Sequence, residues 1–387
     1  MSKTLLLLDL EDRYFLSHRR ALALAAKDAG YRVLVCVRIG GEYMERIRAE
    51  GIECLALGSE NKGGINLWRE CLVLFKLIRA YLKHRPRIAH HFGVRNLLHG
   101  SLAARLAKTP FVVNSFLGLG SLFSGSSLIL NILSKIILFS LRHFHRAKNT
   151  CVIVQNDADK EIILQNVLPD ESRLNVVRGS GVDVRSYYPS PEPPGTLLAV
   201  LASRMLAEKG VHEFVEAAAL LKNEGTDIRM ALVGNPDPKN PSTIPESTLS
   251  QWDREGQVEW WGYKEDMAEV WRGCHIAVLP TYYKEGLPRN LLEAAACARP
   301  LVATEVPGCR EVLKDGVNGL SVSPRDARNL ADAIGKLARD SSLRRRMGEA
   351  GRSIVEKEFS DEIVTGKILE LYEQMSATEK NRLEEEN

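Results

Sequence analysis

The chain has 387 residues, 45% hydrophobic and 26% charged, a length that favours two domains and a composition that excludes a disordered, collagen-like or disulfide-scaffold protein. Fifty-two lysines and arginines face 49 acids, so the formal charge of +3 gives no reason to expect a nucleic-acid partner. The seven cysteines form no Cys-x-x-Cys pair, which fits a reducing, cytoplasmic compartment and disfavours a structural zinc.

Short apolar runs alternate with helical-period segments from the first residues onward. Strands are predicted at 4–8, 32–37, 52–57, 88–90, 111–114 and 151–154, which implies a parallel sheet with helices on both faces. The first run is closed by Asp9, Glu11 and Asp12, too soon for a secretory leader. A helix is predicted over 66–83, with Arg69, Lys76 and Lys83 in a seven-residue series that reads either as a solvated face or as a contact for anionic lipid. The stretch 128–141 is apolar but interrupted by Asn131, Ser134, Lys135 and Ser140, short of the ~20 residues a bilayer span needs. Over 131–145 the polar residues fall on one narrow helical face. The wide apolar side either packs against the sheet or lies shallowly on a bilayer, aided by Lys135, Arg142, Arg146 and Lys148. Asp157 and Asp159 form an Asp-x-Asp, a pattern that holds metal elsewhere; where it opens a helix, capping is the preferred reading and no metal is expected.

Residues 187–195 hold four prolines and are read as a stiff linker. The domains are accordingly set at 1–186 and 196–375, with 376–387 as a charged tail that frays. The rhythm restarts with strands at 197–201, 229–233, 258–261, 276–279 and 301–303, a second doubly wound unit. Ligands of such sheets lie beyond the carboxyl ends of the strands, and two units in series invite a cleft between them. Neither half carries G-x-G-x-x-G, and Walker A, H-E-x-x-H and G-x-S-x-G patterns are also missing from the sequence.

The informative stretch is Glu285-Gly-Leu-Pro-Arg-Asn-Leu-Leu-Glu293, leading into an alanine-rich helix at 291–298. Pro288 suits its first turn. Two glutamates at this spacing read as capping and solvated surface, or as two carboxylates on one cleft holding sugar hydroxyls, with N–H groups near Asn290 and Leu291 open to phosphate. Upstream, Ser203-Arg204 and Lys209-Gly210 place a guanidinium and an ammonium on a strand-to-helix loop. Such a pair is either solvated or able to neutralise a diphosphate.

These residues, together with Leu232-Val-Gly234, Gly262-Tyr263, Val306-Pro-Gly-Cys-Arg-Glu311, Asp315-Gly-Val-Asn-Gly319 and the earlier Gly179-Ser-Gly-Val-Asp183, resemble glycosyltransferase family 4. The resemblance implies a retaining enzyme of the GT-B fold, α/β with two Rossmann-like doubly wound domains facing an interdomain cleft. It implies a donor site of Ser203, Arg204, Lys209, Gly234, Tyr263, Gly286, Leu287, Asn290, Leu291 and Glu293. Arg204 and Lys209 would hold the diphosphate, Glu285 would touch the transferred sugar and Glu293 would bond the ribose; His90 or His91 would contact the sugar from the first domain. The family's glycine-rich turn after the first strand is replaced here by residues 9–18, with Ser17, His18 or Arg19 as possible phosphate or acceptor contacts. Pro288 stands where the family often has a glycine, removing one N–H donor.

Phe15 to Arg20, His91 to Arg95 and Leu117 to Phe123 are similar to the branch that builds bacterial O-antigen, capsule and lipid-linked repeat units. That branch implies a UDP-sugar donor, often an N-acetylated hexosamine, and an undecaprenyl-diphosphate-linked acceptor. It also implies no cofactor or metal, and peripheral attachment to an anionic membrane surface at the inner face of the cytoplasmic membrane. A UDP-sugar isomerase of the same architecture and a non-catalytic nucleotide-sugar-binding subunit remain as alternatives.

Overall fold

The computed structural model describes residues 3–58, 67–118, 137–145, 147, 149–283 and 285–385. The chain divides into two compact units, one of residues 1–181 with 361–387 and one of residues 182–360.

The first unit is built on a parallel sheet. Its strands are β1 (Thr4–Glu11), β2 (Arg32–Ile39), β3 (Glu53–Gly58), β4 (Ile88–Phe92), β5 (Phe111–Ser115), β6 (Thr150–Val154) and β7 (Leu174–Val176), in spatial order 3-2-1-4-5-6-7. Central strands are buried along nearly their whole length, as a sheet covered on both faces requires. The order reverses direction between β1, which pairs with β2, and β4, which pairs with β5.

The second unit repeats the design. Strands β8 (Leu197–Ala202), β9 (Ile228–Val233), β10 (Glu259–Trp260), β11 (Ile276–Leu279), β12 (Leu301–Thr304) and β13 (Gly319–Val322) run in order 10-9-8-11-12-13. Here the reversal falls between β8 and β11. This is the α/β GT-B architecture expected from the sequence.

The expected domain limits need correction at both ends. The proline-rich segment 187–195 is not a free linker, because arginine and histidine side chains of the second unit bond the oxygens that an extended chain cannot satisfy by itself. Arg352 donates to Tyr187 O at 2.6 Å, Arg299 to Ser190 Oγ at 2.7 Å, and His275 Nε2 lies 3.0 Å from Pro193 O. Arg344 forks onto Glu192 at 2.8 Å through both nitrogens. The boundary falls instead at 181/182, inside the Gly179 to Asp183 segment.

The last helix, Asp361–Glu385, belongs to the first unit rather than to a second domain ending at 375 with a frayed tail. Its stripe of Val364, Ile368, Leu371 and Tyr372 recurs at helical spacing and packs with Leu5, Leu7, Val33 and Phe92. Residues 376–385 continue that helix.

Candidate active site

The donor candidates lie in the segments that follow β8 to β11, with Asn290, Leu291 and Glu293 on the helix Arg289–Ala296. Ser203 and Arg204 follow β8, Gly234 follows β9, Tyr263 follows β10, and Glu285 to Leu287 follow β11. The β8/β11 reversal makes this edge the ligand-binding end of the second sheet.

Lys209 is brought to Glu285. Its Nζ bonds Glu285 Oε1 and sits 5.3 Å from the centroid of Tyr283, and the two side chains are only 14% and 11% exposed. Thr281, fully buried two residues past β11, shares its one hydroxyl hydrogen between Glu285 Oε1 and Glu208 O, each at 3.0 Å. Its own carbonyl accepts from Thr304 Oγ1, which ties the loop to β12. The carboxylate is therefore fixed by an ammonium and a hydroxyl donating to the same oxygen.

Close backbone contacts hold this loop in place. Gly308 lies so near that a Cβ there would come within 2.4 Å of Gly286 O and 2.6 Å of Glu285 O. Gly234 has φ +134°, donates its N–H to Gly262 O at 2.8 Å, and would drive a Cβ to 1.9 Å from Ser203 O. Asn290 donates to Ala202 O at 2.7 Å, pinning the helix Arg289–Ala296 to the end of β8.

Several expected roles look different in three dimensions. Arg204 and Lys209 hold different partners: Arg204 is 57% exposed and pairs with Asp237 at 2.8 Å, whereas Lys209 pairs with Glu285. Pro288 caps the helix in an extended conformation instead of entering its first turn. Leu291 is buried, and its N–H donates to Asn290 Oδ1 at 2.9 Å. Glu293, 10% exposed in its side chain, bonds Arg289 at 2.7 Å and lies 3.4 Å from Trp271 Nε1. Beside it the Tyr187 phenol is pushed up, by burial first and then by the Glu293 charge. The two glutamates thus belong to separate hydrogen-bond groups. Tyr263 is half-exposed after Gly262.

His90 and His91 must be corrected. Both are fully buried, on opposite faces of β4, and both ring nitrogens of each are engaged. His90 meets Tyr372 and Ser115 at 2.6 Å; His91 meets Tyr81 at 2.6 Å and Asn114 at 2.7 Å. Burial holds His91 at about 4 and lowers His90 well below 6.5. A central strand of a doubly covered sheet sends successive side chains inward on both sides, so both imidazoles are enclosed within the first unit.

β1 runs directly into the helix Asp12–His18, where Ser17 bonds back to the carbonyls of Arg13 and Tyr14 and His18 stacks on Tyr14 at 3.9 Å. Arg19 is 5% exposed, lies over Phe92 at 4.3 Å and stands 3.7 Å from Asp9, whose carboxyl burial raises to about 6. Among the described residues, Asp9 Oδ2 and Arg19 Nε have no hydrogen-bond partner.

Asp157 and Asp159 open the helix Asp157–Asn166, but the cap is Asn156, which accepts from Asp159 N at 2.7 Å and donates its amide to Asp159 Oδ2 at 3.1 Å. Among the described residues no group of three His, Cys, Asp or Glu is placed to hold a metal ion, and no helix is long and apolar enough to cross a membrane. Lys135, Arg146 and Lys148 lie outside the described residues. Arg142 is exposed, while His145, expected on the same polar face, is buried against Leu141 O and Asn114.

Thr281, Asp237 and Gly308 were not singled out from sequence. Gly308 stood inside the quoted Val306 to Glu311 motif, but its closeness to Glu285 is a tertiary fact.

Residues 189–354 match the family model described as glycosyl transferases group 1, and residues 3–156 match the one described as glycosyl transferase 4-like. The chain belongs to the 4-like glycosyltransferases. A member from Campylobacter jejuni, N,N'-diacetylbacillosaminyl-diphospho-undecaprenol alpha-1,3-N-acetylgalactosaminyltransferase, is 25% identical over 93% of this chain and 98% of its own length. CapM, a capsular polysaccharide biosynthesis glycosyltransferase of Staphylococcus aureus, is 23% identical over 80% of this chain and 83% of its own. Among solved structures, Anabaena HepE in complex with UDP and glucose superposes with a TM-score of 0.78 at 19% identity, covering 96% of this chain and 100% of that one.

Proposed function

We propose that this glycosyltransferase moves an N-acetylated hexosamine from a UDP-sugar, with retention, to a polyprenyl-diphosphate-linked saccharide in cell-surface polysaccharide biosynthesis. The observation that carries the reading is the Lys209–Glu285–Thr281 group at the reversal point of the second sheet. An ammonium has three N–H donors, so Lys209 can keep Glu285 and still offer hydrogen to a diphosphate oxygen. There it stabilises the charge that the leaving nucleotide gains, without a metal. Arg204 leaves Asp237 to bind the same diphosphate, Glu285 touches the transferred sugar, and Glu293, held by Arg289, bonds the ribose. Retention is assigned to front-face attack, in which the leaving phosphate takes the acceptor proton.

The names of the Campylobacter and Staphylococcus relatives support a lipid-linked acceptor and a polysaccharide product, and the HepE complex supports UDP. A membrane-resident acceptor calls for peripheral association with the inner face of the cytoplasmic membrane.

The test is incubation with UDP-N-acetylgalactosamine and a short polyprenyl-diphosphate saccharide, with the anomeric configuration of the product read by NMR. An α-linked product supports the reading. An inverted product removes retention, an epimerised sugar formed without acceptor identifies an isomerase, and UDP binding with no turnover identifies a binding subunit.

A further inference from the structure

Among the described residues, the helix Leu67–His84 packs one side on its own domain. Val73, Leu77, Ala80 and Tyr81 meet Leu6, Leu8, Leu34 and Leu57 of the sheet. The opposite side leaves large apolar groups in solvent: Trp68 is 81% exposed, Leu72 and Phe75 57%, and Leu82 55%. Seven residues advance an α-helix by nearly two turns, so Trp68, Phe75 and Leu82 form one row and Arg69, Lys76 and Lys83 an adjoining one. All three basic residues are exposed, as is Arg79. The helix has a single acid, Glu70, and it is already held inward by Arg38 and Arg95.

We propose that this face is the bilayer-docking surface of the enzyme, lying in the plane of an anionic membrane. Trp68, Leu72, Phe75 and Leu82 enter the boundary between head groups and acyl chains, and Arg69, Lys76 and Lys83 lie among lipid phosphates. The inference rests on the proposed membrane-resident acceptor for its purpose, while the surface follows from exposure and charge alone.

Charge complementarity selects the occupant. A second copy laid against this face would oppose basic row to basic row with no exposed acid on the helix to answer it, whereas an anionic lipid surface supplies the missing sign. A pocket of about 340 Å³ continues the face inward. Its lining mixes Leu10, Leu57 and Val73 with Arg69 and Lys76 and with Glu70, whose charge Arg38 and Arg95 already answer, so the two remaining cations suit a phosphate head with its first methylenes. The docking surface assigned from sequence at Lys135, Arg142 and Arg146 is thereby joined by a second one on a different helix.

The test is flotation of the full chain with vesicles of phosphatidylcholine alone or with phosphatidylglycerol, at low and high salt, beside calorimetric titration of UDP into each variant. The wild type is expected to partition into anionic vesicles and to be released by salt. Arg69→Ser/Lys76→Ser/Lys83→Ser should lower partitioning on the order of 100-fold. Trp68→Ser and Phe75→Ser should each lower it roughly tenfold, with UDP affinity unchanged throughout. Equal recovery of wild type and these variants overturns the proposal, as does loss confined to Phe139→Ser, Arg142→Ser on the other helix. A concentration-dependent dimer in ultracentrifugation, abolished by Trp68→Ser without any vesicle binding, would assign the face to a second copy instead. Vesicle binding that persists when UDP fails to bind leaves this surface standing and removes only the donor assignment.

Discussion

Replacing Lys209 by methionine separates the stability of the donor loop from its proposed chemistry. The substitution keeps most of the side-chain volume and removes the charge facing Glu285. Stripping one partner from a fully buried ion pair costs about 3–5 kcal/mol. Here the side chains retain 14% and 11% exposure and Thr281 still donates to the carboxylate, so about 2–3 kcal/mol is expected. Glu285→Gln added to Lys209→Met removes the orphaned charge, and the glutamine oxygen still accepts from Thr281; the double variant should return to within about 1 kcal/mol of wild type. Donor binding should behave differently. Both variants lack the ammonium that meets the diphosphate, so both lose about 2–5 kcal/mol of UDP affinity. Urea unfolding can be followed by fluorescence in a Trp68→Phe background, where every remaining tryptophan, at 252, 260, 261 and 271, lies in the second unit. If Lys209→Met unfolds within about 0.5 kcal/mol of wild type and binds UDP within about twofold, the pair is an ordinary surface contact and the reasoning fails.

Gly308→Ala pushes a Cβ into the carbonyls of Glu285 and Gly286 and should cost about 1–3 kcal/mol of stability, with UDP-sugar turnover reduced more than UDP binding. Arg204→Ala should leave the free protein within about 1 kcal/mol, because the Arg204–Asp237 pair is largely solvated, yet weaken UDP roughly tenfold or more; Asp237→Asn should tighten it. Acid should destabilise the first unit. His91 and His145 titrate at about 4 instead of 6.5 because burial disfavours their charged forms. The unfolded chain then binds more protons than the native one between these values, so stability is intact above pH 6.5 and falls by up to about 3 kcal/mol per histidine as pH drops to 4. Asp9 acts in the opposite sense: its carboxyl, raised by burial from 3.8 to about 6, gains native protons as pH falls through 6. Asp9→Asn should therefore steepen the loss between pH 6 and 4 in urea titrations, and an unchanged slope would remove Asp9 from the balance.

Alternation of apolar runs and helical periods was enough to find both sheets, because fully buried parallel strands are continuous apolar segments bounded by turns. The strands β7 and β13 escaped since each is a short edge strand, Leu174–Val176 and Gly319–Val322, with polar residues interleaved. Periodicity shows the stripe Val364, Ile368, Leu371, Tyr372 but carries no information on which sheet it covers, and the last helix was assigned to the wrong domain for that reason. Prolines mark an extended chain, yet they do not show whether distant arginines anchor it, as Arg299, Arg344 and Arg352 do here. The positions of Lys209 and Glu285 were readable because loop residues after strands necessarily gather at one sheet edge. The histidines were not: ending a predicted strand at His90 left out Phe92 and Gly93, and with them the fact that His90 and His91 lie within β4.

The proposed UDP site is built around Lys209 on the second sheet and works without a metal. Calorimetric titration of the full chain with UDP, GDP and ADP, each with and without chelator, and repeated on Lys209→Met, tests it most directly. UDP alone is expected to bind, with an affinity that chelator leaves unchanged and that the variant loses. Preference for another nucleotide, dependence on a metal, or UDP affinity that survives the removal of Lys209 would contradict it.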